Sequence, residues 1–259
     1  MASLNGHFVW YELMTTDMEA ATAFYSAVVG WGARKQDMPQ MPYTLFTNAE
    51  RPVSGLMTLP QEVSDMGVPP NWIGYVHVDD LEATVEQAKK LGGAVHVSPK
   101  DVPGVGRFAV IADPQGAVLS LFTWADQGAH PLPAEPFAPG LIGWHELLAK
   151  EWQTALPFYA ELFGWQKDQP VDMGPIGIYQ LFGLDGRAFG GMFTKPDAVP
   201  MPFWLYYFNV VDIDAALERV KAGGGQIVNG PMEVPGGAFI LQALDPQGAM
   251  FALVGQRKS

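Results

Sequence analysis

Apolar and aromatic residues run almost unbroken over 8–14, a pattern that predicts a strand. Thr16-Asp17-Met18-Glu19 then reads as a capping box. Ala20, Ala21, Phe24 and Val28 continue at helical spacing up to Gly30, a residue type suited to the left-handed position after a helix. Short strands are expected over 43–46 and 54–59. The pattern then restarts. A strand over 72–78 leads into a helix capped by Asp79 or Asp80 and ended by Gly92-Gly93, and strands follow over 94–97, 108–112 and 118–123. Asp113, Pro114 and Gly116 occupy the first, second and fourth places of a type I turn, which makes the last two strands a hairpin.

The whole pattern is written twice. Trp10-Tyr11-Glu12-Leu13, Phe24-Tyr25 and Gly30-Trp31 return 134 residues later as Trp144-His145-Glu146-Leu147, Phe158-Tyr159 and Gly164-Trp165. At an offset of 132, Trp72, Tyr75, Val78 and Asp80 return as Trp204, Tyr207, Val210 and Asp212. Asp113-Pro-Gln-Gly-Ala117 returns as Asp245-Pro-Gln-Gly-Ala249. Recurrence at a fixed period marks a duplicated structural unit. Helices are therefore expected over about 151–163 and 212–222, and the unit is βαβββ, four times over. The fold class is α+β: an N-terminal domain over 4–125, a proline-rich linker over 126–139 and a C-terminal domain over 140–256. A four-stranded sheet with one helix has one covered face and one bare face. Two such sheets are expected to close edge to edge into a concave cup with the helices outside.

Composition narrows what such cups could hold. Hydrophobic residues make up 48% of the 259, charged residues only 16%, and the net charge is −12. Nucleic acid and anionic membrane surfaces both select clustered Lys and Arg, so neither is expected as a partner. With no cysteine there is no disulfide, thiolate nucleophile or Cys-ligated zinc. No apolar stretch reaches the roughly 18 residues of a spanning helix, and the N-terminal residues carry no basic-then-apolar leader, so the expectation is a cytoplasmic protein. No Gly-x-Ser-x-Gly elbow appears. The Gly104-Val105-Gly106 pair opens no helix and reads as a tight turn.

The segments Thr16-Asp-x-Glu-x-Ala-x-x-Phe-Tyr with Gly30-Trp31, Val78-Asp-Asp-Leu-Glu82, Lys90-Leu-Gly-Gly93 and Asp113-Pro-x-Gly116, with their echoes, are similar to those of the vicinal-oxygen-chelate superfamily. That superfamily includes glyoxalase I, bleomycin-resistance proteins and extradiol dioxygenases. The resemblance covers nearly the whole chain and looks most like its two-domain glyoxalase-like subgroup. It implies a small organic molecule as partner, in a monomer with pseudo-twofold domains or a homodimer. Metal-dependent members carry His or Glu at four points per domain. On this chain those points fall on Trp10, Leu56 or Met57, Ile73 and Ser120, and then on Trp144, Gly191 or Met192, Leu205 and Ala252. Tryptophan, methionine and aliphatic side chains are not the imidazole and carboxylate donors a divalent metal wants. The expectation is therefore a cup without a cofactor. A divalent metal on a displaced site remains the alternative, in a lyase, isomerase or dioxygenase.

Residues i and i+2 of a strand share a face, so if Trp10 faces the cup Glu12 does too, and likewise Trp144 and Glu146. A slip of one residue would present Tyr11 and His145 instead. A glutamate inside an apolar strand, twice, suggests a general base or a ligand-anchoring acceptor; the plain alternative is a structural carboxylate bonded to backbone or to a tyrosine. His77 shares the face of Ile73 and Tyr75 and could pair with Glu12 in acid–base work, or it is simply a strand-end histidine near solvent. Its repeat partner is Asn209, beside Tyr207. Tyr43, Tyr75, Tyr179 and Tyr207 join the two tryptophans as ligand-stacking candidates, against ordinary core packing. Arg107, replaced by Phe239 in the repeat, is the one candidate anion anchor.

Overall fold

The computed structural model describes residues 4–36, 42–126, 128, 130, 132–133 and 135–258. The linker expected over 126–139 lies partly outside the described residues.

Four βαβββ modules follow one another. The first is β1 (Phe8–Thr15), α1 (Met18–Val29), β2 (Gly32–Gln36), β3 (Tyr43–Asn48) and β4 (Arg51–Thr58). After the short α2 (Gln61–Asp65) comes the second: β5 (Asn71–His77), α3 (Leu81–Lys90), β6 (Ala94–Val102), β7 (Gly106–Ala112) and β8 (Val118–Trp124). The third is β9 (Ile142–Ala149), α4 (Trp152–Phe163), β10 (Gln166–Asp172), β11 (Ile178–Leu184) and β12 (Arg187–Thr194), with one 3-10 turn at Gly174–Ile176. The fourth is β13 (Phe203–Val210), α5 (Ile213–Ala222), β14 (Gln226–Glu233), β15 (Phe239–Leu244) and β16 (Met250–Gly255).

In every module the first strand pairs parallel with the last. The remaining pairings described are antiparallel. One eight-stranded sheet carries the quartets β2-β3-β4-β1 and β5-β8-β7-β6, the other β10-β11-β12-β9 and β13-β16-β15-β14. The fold is thus α+β, with two tandem glyoxalase-type domains.

Helix ends follow local chemistry. Asp17, rather than Thr16, caps α1: its carboxylate accepts from Glu19 N (3.1 Å) and Ala20 N (3.0 Å), and Gly30 closes the helix at φ +90°. Asp212 caps α5 in the same way, through Asp214 N and Ala215 N, and Asp80 caps α3 through Ala83 N.

Two compact units form. The first holds Met1–Val9, Gly74–Ala134 and Trp144–Trp204; the second holds Trp10–Ile73, Glu135–Gly143 and Leu205–Ser259. Each draws on both halves of the sequence. In the second unit Tyr25 of α1 is fully buried among Trp31, Phe46, Trp72, Phe208 and Phe251. Its hydroxyl accepts from Trp72 Nε1 (2.9 Å) and donates to Asp245 Oδ2 (3.0 Å). In the first unit Tyr159 of α4 accepts from Trp204 Nε1 (3.3 Å) and donates to Asp113 Oδ2 (2.9 Å). The other oxygen of each aspartate accepts two backbone N–H groups of its own turn. The Asp-Pro-Gln-Gly turns therefore close a hairpin and also moor a helix from the opposite half of the sequence. Among the described residues no helix is long and apolar enough to cross a membrane.

Candidate functional site

Strand register assigns each side chain to a face. Leu13 pairs with Leu56, and Leu56 with Thr44; Leu13 and Leu56 are fully buried on the face that α1 covers, with Phe46, whose ring packs on Tyr25. Glu12 pairs with Gly55 and Met14 with Met57, while Tyr43 pairs with Met57. Trp10, Glu12, Tyr43, Gly55 and Met57 therefore share the face away from α1.

On that face the Tyr43 hydroxyl donates to the Glu12 carboxylate and accepts from the Trp10 indole. Burial, and then the Glu12 charge, push the phenol's pKa well above its ordinary value, so it stays protonated and keeps donating. Glu12 is itself only 8% exposed. Gly55 makes the arrangement sterically allowed: a Cβ there would overlap the Tyr43 hydroxyl and stand 3.0 Å from Glu12 Oε1. The first unit repeats the device. Trp144 Nε1 donates to Tyr179 Oη (2.8 Å), Gly191 pairs with Glu146, and a Cβ on Gly191 would overlap the Tyr179 ring. Gly55 has no mark in the repeat, and Gly191 stands out only as a position corresponding to a metal ligand of the family, not as room for a tyrosine. The usable signal was a glycine inside an otherwise regular strand, which often marks a close approach.

Tyr11 and His145 lie on the opposite faces. Tyr11 meets Tyr206 edge-on at 5.4 Å. His145 stacks on Phe8 (4.0 Å, 4° between planes) and donates Nδ1–H to Phe189 O (2.8 Å); burial lowers its pKa to about 3. It is a neutral core histidine.

The other candidates fall on the faces of β5/β8 and β13/β16. Tyr75 pairs with Ser120, and Ser120 with Val110; His77 pairs with Phe122, and Phe122 with Phe108. Tyr75 lies 6.2 Å from the Phe108 ring and 6.4 Å from that of Phe122. His77 ends its strand but is buried rather than near solvent, with Nε2 3.5 Å from Asp79 Oδ1. Burial lowers its pKa, against the raising effect of Asp79. In the repeat, Tyr207 accepts from Gln242 Nε2 (2.8 Å), and Asn209 Nδ2 donates to Pro136 O (3.0 Å) and Leu141 O (2.9 Å). Arg107 has the parity of Ala109 and Ile111, on the α3 side of the sheet. Its guanidinium is engaged by Glu82 and Asp101, so it stands off the face that carries Tyr75 and has its charge already matched.

The donor set at the metal positions does not fit a divalent ion. In the second unit these positions carry the Trp10 indole, the Met57 thioether and the Ile73 alkyl group, and in the first the Ser120 hydroxyl. The repeat adds Trp144 and Gly191 to the first unit and Leu205 and Ala252 to the second, while Leu56 and Met192 turn to the helix side. Among the described residues no three His, Cys, Asp or Glu side chains gather where they could hold a metal.

A family model for the glyoxalase/bleomycin resistance protein/dioxygenase superfamily matches residues 6–121 and again 141–253. The chain belongs to that superfamily. It is 30% identical over 247 residues to the Mycobacterium tuberculosis protein named "Putative glyoxylase CFP32", covering 95% of this chain and 93% of that one. It is 29% identical over 263 residues to the "Anthracycline biosynthesis protein DauV" of Streptomyces sp. (strain C5), covering 96% and 93%. Among solved structures, the Mn(II)-bound glyoxalase from Novosphingobium aromaticivorans superposes with a TM-score of 0.66 at 16% identity, covering 98% of this chain and 83% of that chain. That likeness is one of fold.

Proposed function

We propose that this superfamily member binds a small organic molecule on the aromatic faces carried by Trp10, Tyr43 and Glu12 and by Trp144, Tyr179 and Glu146, without the superfamily's usual metal set. The observation that carries this is the Tyr43 hydroxyl held between the Trp10 indole and the Glu12 carboxylate over a glycine. A carboxylate ordered by a phenol is a fixed acceptor for a ligand N–H or O–H, and the flanking rings suit a flat apolar body. In this reading Glu12 and Glu146 take a proton from such a ligand, with His77 a third candidate on its own face. The Streptomyces relative is named for anthracycline biosynthesis, and fused planar rings are the ligand shape these faces favour. The test is titration of the full chain with a planar aromatic probe, 2-naphthol, followed calorimetrically. Binding should be lost in a Trp10→Ala/Trp144→Ala double variant; undiminished binding there rejects the reading.

A second reading, a metal-dependent lyase, isomerase or dioxygenase on a displaced Glu and His set, is favoured by the glyoxylase name of the mycobacterial relative. Metal content of protein purified without chelators, with turnover of a hemithioacetal or a catechol with and without Mn, Ni, Fe or Zn, separates the two. Stoichiometric metal, with turnover dependent on it, establishes the second and rejects the first.

A further inference from the structure

The internal repeat supplies its own control for the face of β5 and β8. The pairings Tyr75–Ser120–Val110 and His77–Phe122–Phe108 correspond to Tyr207–Ala252–Gln242 and Asn209–Val254–Ile240. In the repeat the polar groups are occupied. Gln242 donates to the Tyr207 hydroxyl, Asn209 donates to two backbone carbonyls, and position 252 carries no polar atom. In the first copy, Val110 replaces the glutamine and Ser120 the alanine. Ser120 is fully buried and its Oγ has no hydrogen-bond partner; His77 is 9% exposed and its Nδ1 also has none. Two unpaired polar atoms on diagonal neighbours of one parallel strand pair are costly, because each has given up water without replacement. The repeat shows that this scaffold accepts residues that avoid that cost.

The chemistry of the two atoms is complementary. The His77 ring is neutral at neutral pH, since burial lowers its pKa. Its Nε2 stands 3.5 Å from the Asp79 carboxylate, an acceptor for the proton on that nitrogen. Nδ1 is then a lone pair that can only accept, whereas the Ser120 hydroxyl can donate. A group that gives one hydrogen and takes another satisfies both, and a hydroxyl is the smallest that does so.

We propose that the β5/β8 face of the first unit receives a hydroxyl group of the ligand, which donates to His77 Nδ1 and accepts from Ser120 Oγ, and that the β13/β16 face has lost this capacity. This rests on the small-molecule reading above and adds to it the ligand chemistry and an asymmetry between the copies. Rings of Tyr75, Phe108 and Phe122 border the pair, so the hydroxyl is carried on an aromatic or otherwise apolar body.

The test compares phenol with anisole, which keeps the ring and loses the donor. Full-length protein with 15N-labelled histidine and tryptophan is titrated by NMR at millimolar probe. Phenol should shift His77 Nδ1 saturably, and anisole should leave it in place. Ser120→Ala, the residue the repeat already uses, should weaken phenol binding about fivefold or more with little change for anisole. His77→Asn, again copying the repeat, should abolish the phenol preference. If phenol shifts the Trp10 or Trp144 indole signals while His77 stays fixed, or if Ser120→Ala leaves the phenol-to-anisole ratio unchanged, the two atoms serve only an internal water. The hydroxyl proposal then falls while the aromatic-binding reading stands. If neither probe moves any of these signals, both fall.

Discussion

Tyr25 and Asp245 lie 220 residues apart in sequence and 3.0 Å apart in space, the phenol donating to the carboxylate in a buried setting. Tyr159 and Asp113 repeat the bond at 2.9 Å in the first unit. Both aspartates have raised pKa values, burial being the largest cause, and the tyrosine donation lowers each in part. Tyr25→Phe removes that donation from a buried carboxylate. It should cost about 1.5–3 kcal/mol at pH 7 by urea denaturation. The sign with pH is fixed. The folded-state pKa is raised, so the proton is held more readily in the fold, and the unfavourable burial of charge is relieved as pH falls through the folded pKa toward the unfolded value near 4. The destabilisation by Tyr25→Phe should therefore shrink as pH is lowered through that window. An effect constant with pH would mean that the carboxylate is not what the phenol stabilises.

His145 is shifted the other way. Its folded pKa is depressed to about 3 from an unfolded value of 6.5. Its stabilising contribution is complete above pH 6.5 and is lost as pH falls from there to about 3, where the folded ring also protonates. The span amounts to an upper limit of about 5 kcal/mol. In His145→Phe the lost donation to Phe189 O is a nearly pH-independent cost. Wild-type stability should converge on that of the variant, or fall below it, as pH drops from 6.5, and parallel curves would contradict the buried neutral ring.

Much of this architecture could be read from residue order. The duplication fixed four modules, and alternation put Trp10 with Glu12 and Trp144 with Glu146 on one face each. What escaped has physical reasons. β2 and most of β10 are exposed edge strands, Gly-Ala-Arg-Lys-Gln in the first case, with no apolar alternation to announce them. Arg107 drew notice as an isolated cation, but strand parity places it beside α3, where Glu82 and Asp101 meet it. The role of the Asp-Pro-Gln-Gly turns as helix moorings depends on contacts more than a hundred residues away in the first-to-fourth module pair, which no local pattern encodes. Ser120 stood out only as a metal position without a metal donor; that its hydroxyl is buried and unpaired is invisible in Val-Leu-Ser-Leu-Phe-Thr-Trp, since one hydroxyl barely alters a hydrophobic run.

The glycines under the tyrosines permit a sharper test of the site. Gly55→Ala places a methyl group where the Tyr43 hydroxyl lies, and Gly191→Ala does the same against the Tyr179 ring. The tyrosine must then swing away, so Trp10 loses its acceptor and Glu12 its donor. Overpacking of this kind costs about 1–3 kcal/mol. The Trp10 or Trp144 indole N–H resonance should move toward its solvent-exposed position, and affinity for a planar aromatic probe should fall about tenfold. An unchanged indole resonance in Gly55→Ala would mean that Tyr43 is not held as described.

Glu12→Gln separates charge from shape at the same place. Glutamine keeps a carbonyl oxygen for the Tyr43 hydroxyl and nearly the same volume, so stability should change by less than about 1 kcal/mol. What it removes is the negative charge. Hydrogen bonds to an ionised acceptor are roughly twice as strong as neutral ones, and that difference is largest where water is excluded, as around a glutamate only 8% exposed. A ligand that donates to Glu12 should therefore bind about tenfold more weakly to Glu12→Gln, and Glu146→Gln should act alike in the first unit. The Tyr43 phenol should also titrate at a lower pH in the glutamine variant, because the Glu12 charge helps hold its pKa up. If Glu12→Gln instead unfolds the protein while leaving the affinity of the surviving folded fraction intact, the carboxylate is a structural partner of Tyr43 and the ligand is anchored elsewhere.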